Sequence, residues 1–177
     1  MDNESARFAE FYAGARDDCL RAVYASVGDR QAAEDLVAEA FARAWARWPA
    51  VSRHPAPRAW VVRTALNTRV SWWRRRRREI PLPPDAGHED AVQPAAGGGG
   101  LDGSVDRELM AVLLRLPARQ RQVIALRLFL DLDTAQTART LGIAPGTVTA
   151  HLTRAIATLR AEFAPTLEEE PTWTTTS

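Results

Sequence analysis

The stretch that decides the fold is PRAWVVRTALNTRVSWWRRRRRE, residues 57–79. After its first residue it contains no proline or glycine, so nothing in it interrupts a helix. Apolar side chains recur along it at helical spacing and predict one buried stripe, made of Val62, Leu66, Val70 and Trp73. The segment therefore predicts a long amphipathic helix.

Positive charge is concentrated on this predicted helix. Nine arginines and a single acidic residue lie between Arg53 and Glu79, whereas the net charge of the whole chain is +1. An isolated arginine run can also be a solvated helix end, where cations offset the helix dipole. Because this run lies beside tryptophans on an amphipathic helix, the pattern favours a polyanion with exposed bases, which is a nucleic acid.

The composition sets limits on the class of protein. The chain has 177 residues with 46% hydrophobic content, enough for one domain or two small ones. Cys19 is the only cysteine, so no intrachain disulfide can form and no export is implied. No stretch approaches ~20 apolar residues and the N-terminus lacks a signal-peptide pattern. We therefore expect a cytoplasmic protein without membrane insertion.

Residues 1–79 predict a small all-α domain of three helices. The first helix runs from about Ser5 to Val27, Gly28 ends it, and Asp29 is a candidate N-cap for the second. In the second helix Asp35 and Glu39 lie one turn apart, opposite the apolar stripe and with no base apparent on that side. Two interpretations stay open, a solvated helix face or a contact with a basic partner.

Residues 80–104 predict a flexible, acidic linker. The segment contains four prolines and six glycines and has no apolar periodicity. Its acidic residues are Asp85, Glu89, Asp90 and Asp102. The linker separates the arginine-rich domain from a second helical domain.

Residues 105–163 predict a four-helix domain that contains a helix-turn-helix. Asp133 and Gln136 form a capping box before a short helix that buries Ala135, Ala138 and Leu141, Gly142 makes the turn, and Pro145 opens a longer helix. The alternative is a plain helical hairpin in a bundle core. Four side chains face outward at the start of the last helix, namely Thr147, Ala150, His151 and Arg154. We expect the tail, residues 164–177, to be disordered.

Two motifs together resemble a known family. The second half, from LPARQRQVIALRLFL to GTVTAHLTRAIATLR, resembles region 4 of extracytoplasmic-function (ECF) sigma factors of the sigma-70 superfamily. DLVAEAFARAWARW and the arginine-rich stretch resemble region 2, and Asn67 followed by SWWRRR is similar to the SigE-like actinobacterial group. The resemblance implies two domains that bind core RNA polymerase and promoter DNA, with an anti-sigma factor as a further partner that it allows.

The resemblance also implies a role for individual residues. By this resemblance, the residues that bind core polymerase are Asp35, Leu36, Val37, Glu39, Phe41 and Trp45. Binding and opening of the minus-10 element falls to Arg53, His54, Arg58, Arg63, Asn67, Arg74, Arg75, Arg76, Arg77 and Arg78, with the loop 52–57 receiving a flipped base. Recognition of the minus-35 element in the major groove falls to Pro145, Gly146, Thr147, Thr149, Ala150, His151 and Arg154.

The chain departs from the family pattern at the recognition helix. Ala144 stands where a capping serine is usual, while Thr149 and His151 stand where basic residues are common. We therefore expect weak or altered minus-35 recognition.

Three other classes of function are alternatives to a sigma factor. The second half also resembles the output domain of LuxR-type regulators, but that leaves the first half unexplained. A module that only sequesters polymerase would bind core without opening promoters. An enzyme is the least supported class, because the three histidines are scattered and no metal site, cofactor loop or nucleophile is apparent.

Overall fold

The computed structural model describes residues 3–79 and 104–167, with side chains for residues 3–70 and 107–162. Every regular element in these ranges is a helix, which confirms the predicted all-α class. The first half contains α1 (Asn3–Val27), α2 (Arg30–Ala46), α3 (Trp48–Val51) and α4 (Pro57–Glu79). The second half contains α5 (Ser104–Arg115), α6 (Ala118–Leu130), α7 (Thr134–Leu141) and α8 (Pro145–Leu167).

Several helix boundaries follow the predicted local signals. Gly28, with φ of 79°, ends α1, and Gly142, with φ of 66°, ends α7, because glycine adopts left-handed backbone without a Cβ clash. The Asp29 side chain accepts a 2.8 Å hydrogen bond from an amide in the first turn of α2. Asp133 and Gln136 form the full capping box of α7.

The segment between α2 and α4 is more ordered than the predicted loop. Trp48–Val51 forms the one-turn helix α3, and both of these end residues are buried. The chain then turns through residues 52–56 into α4. The short helix therefore fixes the loop to the core of the first half. The predicted linker residues 80–103 lie outside the described residues, and α8 extends four residues beyond the expected domain end at 163.

The core of the first half forms where α1, α2 and α4 meet. Its large or central buried members are Cys19, Val23, Leu36, Phe41, Val61 and Val62. The predicted stripe on α4 is wrong at Val70, which is 48% exposed, whereas Leu66 is half-buried and packs against the core, and the Trp73 side chain lies outside the described residues. The buried side instead continues from Val62 through Ala65 to Thr68 in steps of three residues.

The second half contains two clusters around the helix-turn-helix. Leu113, Ala125 and Ala155 bring α5, α6 and α8 together. Val123, Ala138 and Val148 hold the crossing of α7 and α8 against α6. The prediction that Ala135 is buried is wrong, because Ala135 is exposed. On α6, Leu128 is 50% exposed.

The two halves of the chain pack directly against each other. Helix α6 lies along α1, and this is the most extensive helix packing in the described part of the chain. Ala25 of α1 belongs to a cluster with α5, α6 and α8, while Leu126, Leu130 and Leu132 belong to the core of the first half. The Arg121 Nη2 of α6 donates to the Ser26 carbonyl of α1 at 3.3 Å. Helix α7 in turn contacts α4.

Two leucines of α6 give a direct test of this packing. Leu126 is fully buried, so Leu126→Ala should lower the free energy of unfolding by about 2–5 kcal/mol. Leu128→Ala, two residues along and half-exposed, should change it by no more than roughly 0.5 kcal/mol. Urea denaturation followed by circular dichroism measures both values, and equal losses would contradict the orientation of α6.

Candidate nucleic-acid and polymerase interface

A groove with a cavity volume of about 640 Å³ lies between the end of α2 and the middle of α4. The residues that line it are Arg43, Ala46, Arg47, Trp60, Arg63, Thr64 and Asn67. The lining residues at the end of α2 are three and four positions apart, and those on α4 have the same spacing. Each group therefore lies on one face of its helix. Three arginines and no acidic side chain line the groove, which makes its lining electropositive.

Helix α2 and helix α4 are tied together at the groove by Arg43. Its Nε donates to Glu39 Oε1 at 2.8 Å, and its Nη1 donates to Thr68 Oγ1 at 3.2 Å. Thr68 Oγ1 donates in turn to the Thr64 carbonyl at 2.9 Å. The guanidinium is therefore held in place while about half of the side chain remains exposed.

The predicted minus-10 residues are distributed over three environments. Arg63 and Asn67 are exposed and line the groove, as their residue types suggested. Arg53 and His54 are exposed in the turn before α4, where His54 Nδ1 accepts a hydrogen bond from the Ala56 amide at 3.0 Å. The run 74–78 continues α4 in its backbone, but its side chains lie outside the described residues.

Arg58, by contrast, is directed toward α1. Its Nη1 pairs with Asp18 Oδ2 at 2.9 Å, and its Nη2 donates to the Gly14 carbonyl at 2.8 Å. Asp18 and Gly14 lie 40 and 44 residues before Arg58 in the sequence, so no local pattern indicated them. In this structure Arg58 braces α4 against α1 and does not line the groove.

Five groove residues were not predicted as site residues, namely Arg43, Ala46, Arg47, Trp60 and Thr64. Trp60 packs against the core and also lines the groove. Trp60 and Thr64 could have been found, because they share a helix face with Arg63 and Asn67. Arg43 and Arg47 could not, because nothing local indicates that α2 packs beside α4.

The predicted polymerase-binding residues divide into a surface set and a core set. Leu36, Val37 and Phe41 are no more than 4% exposed, so the structure places them in the core and not on a docking surface. Asp35 is exposed, Glu39 is half-buried and Trp45 is 46% exposed. The expectation that no base lies beside the two acids is wrong, because Arg43 pairs with Glu39 one turn along α2.

An aromatic patch adjoins the acidic face of α2. The rings of Trp45 and Phe8 are 5.0 Å apart between centroids, and those of Tyr12 and Phe41 are 4.9 Å apart. Tyr12 is 39% exposed. Rigid, partly exposed aromatic side chains beside a charged rim are typical of protein-binding surfaces.

The start of α8 presents the predicted minus-35 residues to the surface. The exposed members are Pro145, Gly146, Thr147, Thr149, Ala150 and Arg154. Val148 is fully buried against α6 and α7, which fixes the rotation of α8 about its axis. His151 is half-buried, and its Nδ1 has no hydrogen-bond partner among the described residues. Thr149 Oγ1 donates to the Pro145 carbonyl at 3.2 Å.

The described residues offer little to catalytic chemistry. They contain no group of three or more side chains that could hold a metal ion. Burial raises the pKa of the Cys19 thiol to about 12, so this thiol stays protonated near neutral pH. No helix within these ranges has the length and apolar character needed to cross a membrane.

Comparison with known proteins decides the family. The model of sigma-70 region 2 matches residues 11–79, and the model of sigma-70 region 4 matches residues 106–159. The RNA polymerase sigma-E factor of Streptomyces coelicolor is 36% identical over 164 residues, which cover 90% of this chain and 88% of that one. This chain belongs to the sigma-70 family, in its extracytoplasmic-function group. The region 2 match also excludes the LuxR-type alternative.

Other relatives agree with this assignment. The sigma-E factor of Streptomyces avermitilis is 34% identical over 90% of this chain and 87% of its own length. The ECF sigma factor SigL of Mycobacterium tuberculosis is 34% identical over 75% of each chain. As a sigma factor, the protein recognises promoters and initiates transcription with RNA polymerase, and it is not an enzyme.

Solved structures share the fold of this sigma factor. RpoE of Bartonella quintana, solved with the anti-sigma factor NepR, has a TM-score of 0.65 and 24% identity, covering 88% of this chain and 95% of that one. CnrH, solved with the cytosolic domain of CnrY, has a TM-score of 0.55 and 20% identity, covering 91% and 90%. At these identities the likeness shows the fold alone.

The bracing role of Arg58 can be separated from a role at DNA. Arg58→Ala removes one ion pair and one hydrogen bond to a carbonyl, so it should lower the free energy of unfolding by about 1 kcal/mol. It should leave the salt dependence of promoter binding by the holoenzyme unchanged. Asp18→Asn is the matched control and should destabilise similarly. A flatter salt dependence in Arg58→Ala alone would place this arginine at DNA.

Proposed function

We propose that the groove between α2 and α4 holds nucleotides of the separated minus-10 strand, while α8 contacts the minus-35 element in the major groove. The observation that carries the proposal is the groove itself, which is lined by three arginines together with a tryptophan and an asparagine. Promoter opening requires such a site, because each unstacked base step costs a few kcal/mol that contacts to the separated strand must offset.

The groove has the size and chemistry for one or two nucleotides. Its volume of about 640 Å³ is within the usual range for pockets that hold small organic ligands. Guanidinium groups pair with phosphate, and an indole face offers a surface for base stacking worth about 1–3 kcal/mol per base. The amide of Asn67 can donate to and accept from a base edge. Arg53 and His54, exposed in the adjoining turn, extend the same surface.

Helix α8 supports minus-35 recognition through the exposed residues of its first three turns. Thr147, Ala150 and Arg154 lie on the side opposite the buried Val148. Only Arg154 among the exposed residues of these turns can form a bidentate contact with guanine. The short side chains Thr147, Thr149 and Ala150 suit contacts with phosphates and thymine methyl groups. We therefore propose a minus-35 preference that depends on few direct base contacts.

Core polymerase docks, in this proposal, on the surface made by Asp35, Glu39, Trp45 and Tyr12. An acidic rim with exposed aromatic side chains at its edge fits a basic partner surface with an apolar centre. Leu36, Val37 and Phe41 set the orientation of this face from the core. Because bacterial RNA polymerase works in the cytoplasm, we place the sigma factor there. The complex of RpoE with the anti-sigma factor NepR supports an anti-sigma factor as a further partner.

Reconstitution with core RNA polymerase tests the proposed function. Purified sigma factor and core enzyme are incubated with genomic fragments of the source organism, and transcript starts are mapped. Initiation at defined positions, each preceded by shared minus-35 and minus-10 sequences, is the expected result. Core binding without any initiation by the folded protein would instead support a module that only sequesters polymerase.

The groove residues give a sharper prediction. Arg63→Ala removes a charged donor, so it should weaken holoenzyme binding to a premelted minus-10 probe by roughly tenfold or more. The slope of log affinity against log salt should fall by about 0.7, the value for one lost phosphate contact on a single strand. Arg16→Ala is the matched control, because Arg16 is an exposed arginine on α1 paired with Asp17. Equal slopes for the two variants would remove Arg63 from the DNA site.

A further inference from the structure

We propose that Arg47 and Arg63 form a phosphate clamp, a pair of arginines that binds two phosphates of the separated minus-10 strand from opposite walls of the groove. One wall is the end of α2 and the other is α4. Arg43, the third arginine of the groove, is in this proposal a positioning residue that holds the walls together. The inference rests on the proposed function, because it takes the separated strand as the occupant of the groove. The family resemblance implies no DNA contact for Arg43 or Arg47.

The three arginines of the groove differ in whether an acidic side chain neutralises them. Arg43 is paired with Glu39, whose Oε1 accepts from the arginine Nε at 2.8 Å. The side chains of Arg47 and Arg63 are exposed and have no acidic or hydrogen-bonding partner among the residues that the structure describes. Two unneutralised guanidinium groups that line one groove repel each other and attract anions. Because a DNA strand carries one negative charge per nucleotide, two nearby phosphates can neutralise both groups.

The backbone at Arg47 is held on both sides. Its amide donates to the Ala44 carbonyl at 3.2 Å, and its own carbonyl accepts from the amides of Ala50 and Val51 at 2.9 and 3.0 Å. Trp48 and Val51, the two ends of α3, are 6% and 2% exposed, so the core anchors this junction. The guanidinium therefore extends from a fixed point, and little backbone entropy is lost when it binds a phosphate.

The α4 wall places base-binding groups on both sides of Arg63. Trp60 lies about one turn before it and Asn67 about one turn after it, on the same helix face. Trp60 also packs against the core, which fixes its ring. A nucleotide whose phosphate binds Arg63 consequently has its base within reach of the indole or the amide. Arg47, on the other wall, is then available for a neighbouring phosphate of the same strand.

Arg43 connects the two walls of the groove. Its Nη1 donates to Thr68 Oγ1 on α4 at 3.2 Å, while its Nε holds Glu39 on α2. Thr68 is 4% exposed, and its hydroxyl donates to the carbonyl of Thr64, which lines the groove. A guanidinium makes both contacts because its donors form a rigid fork, which an ammonium group lacks. Since the pair with Glu39 has no net charge, Arg43 adds little attraction for phosphate.

The salt dependence of binding separates the phosphate clamp from the positioning residue. Holoenzyme formed with each variant is titrated with a premelted minus-10 probe at several salt concentrations. Arg47→Ala should weaken binding by roughly tenfold and lower the slope of log affinity against log salt by about 0.7, as Arg63→Ala does. Arg43→Ala should weaken binding severalfold and leave the slope unchanged. Arg43→Lys should fail to restore the affinity, because it keeps the charge but loses the fork.

Neutral phosphates identify each contact of the clamp. In a series of probes, one phosphate of the separated strand at a time is replaced by an uncharged methylphosphonate. The wild-type holoenzyme should lose roughly tenfold in affinity at each of two phosphates, about two nucleotides apart or less, since the groove of about 640 Å³ holds one or two nucleotides. Arg47→Ala should be insensitive at one of these phosphates and Arg63→Ala at the other. Arg43→Ala should remain sensitive at both.

Control variants address folding, assembly and the contact between the walls. Arg16→Ala, which changes an exposed arginine of α1 paired with Asp17, should keep the wild-type slope and both sensitive phosphates. Thr68→Val removes the acceptor on α4 and should reproduce the effect of Arg43→Ala without changing any charge. Circular dichroism melts and titration with core polymerase confirm that each variant is folded and assembled.

The outcomes separate this proposal from the proposed function. An unchanged slope for Arg47→Ala, or loss of sensitivity at the same phosphate in both clamp variants, overturns the clamp. A lower slope for Arg43→Ala, or full recovery of affinity in Arg43→Lys, overturns the positioning role and makes Arg43 a phosphate contact. In each case initiation by the wild-type holoenzyme would still support the function, whereas a failure of initiation would contradict the function itself.

Discussion

The two-sided burial of α1 is the constraint on which the rest of the structure depends. One side of this helix packs its Cys19 and Val23 into the core with α2 and α4. The other side offers Ala25 and the Ser26 carbonyl to α6. A helix that packs into two cores needs small side chains on at least one side, because large side chains on both sides would keep it from approaching both partners closely. The position of the helix-turn-helix relative to α4 follows from this shared element.

The sequence predicts the parts of the fold that depend on neighbours in the chain. Asp29, the capping box at Asp133 and the left-handed Gly142 are local features, because each cap satisfies amides or carbonyls within one helical turn. The buried face of a helix is not local, since it depends on which helices lie beside it. For this reason Val70 was wrongly placed among the buried positions, although its spacing fitted an apolar stripe.

The residues of the candidate site also divide into those that local sequence features predict and those that only tertiary packing brings together. Residue type and helical spacing were enough to find Arg63 and Asn67, but the partner of Arg58 is on α1 and the arginines of α2 enter the groove only through tertiary packing. Family resemblance assigned polymerase binding to a segment of α2, and it could not separate exposed Asp35 from buried Leu36. A motif conveys position in the chain, whereas accessibility depends on the packed structure.

The packing between the two halves combines apolar burial with a buried charge. Leu130 and Leu132 are buried in the core of the first half, and each large side chain contributes about 1.5–3 kcal/mol when it is removed from water. The guanidinium of Arg121 is buried at the same interface, where its hydrogen bonds to backbone carbonyls offset the cost of burying its charge. Apolar burial, and not the hydrogen bonds of Arg121, therefore accounts for most of the stability of this packing.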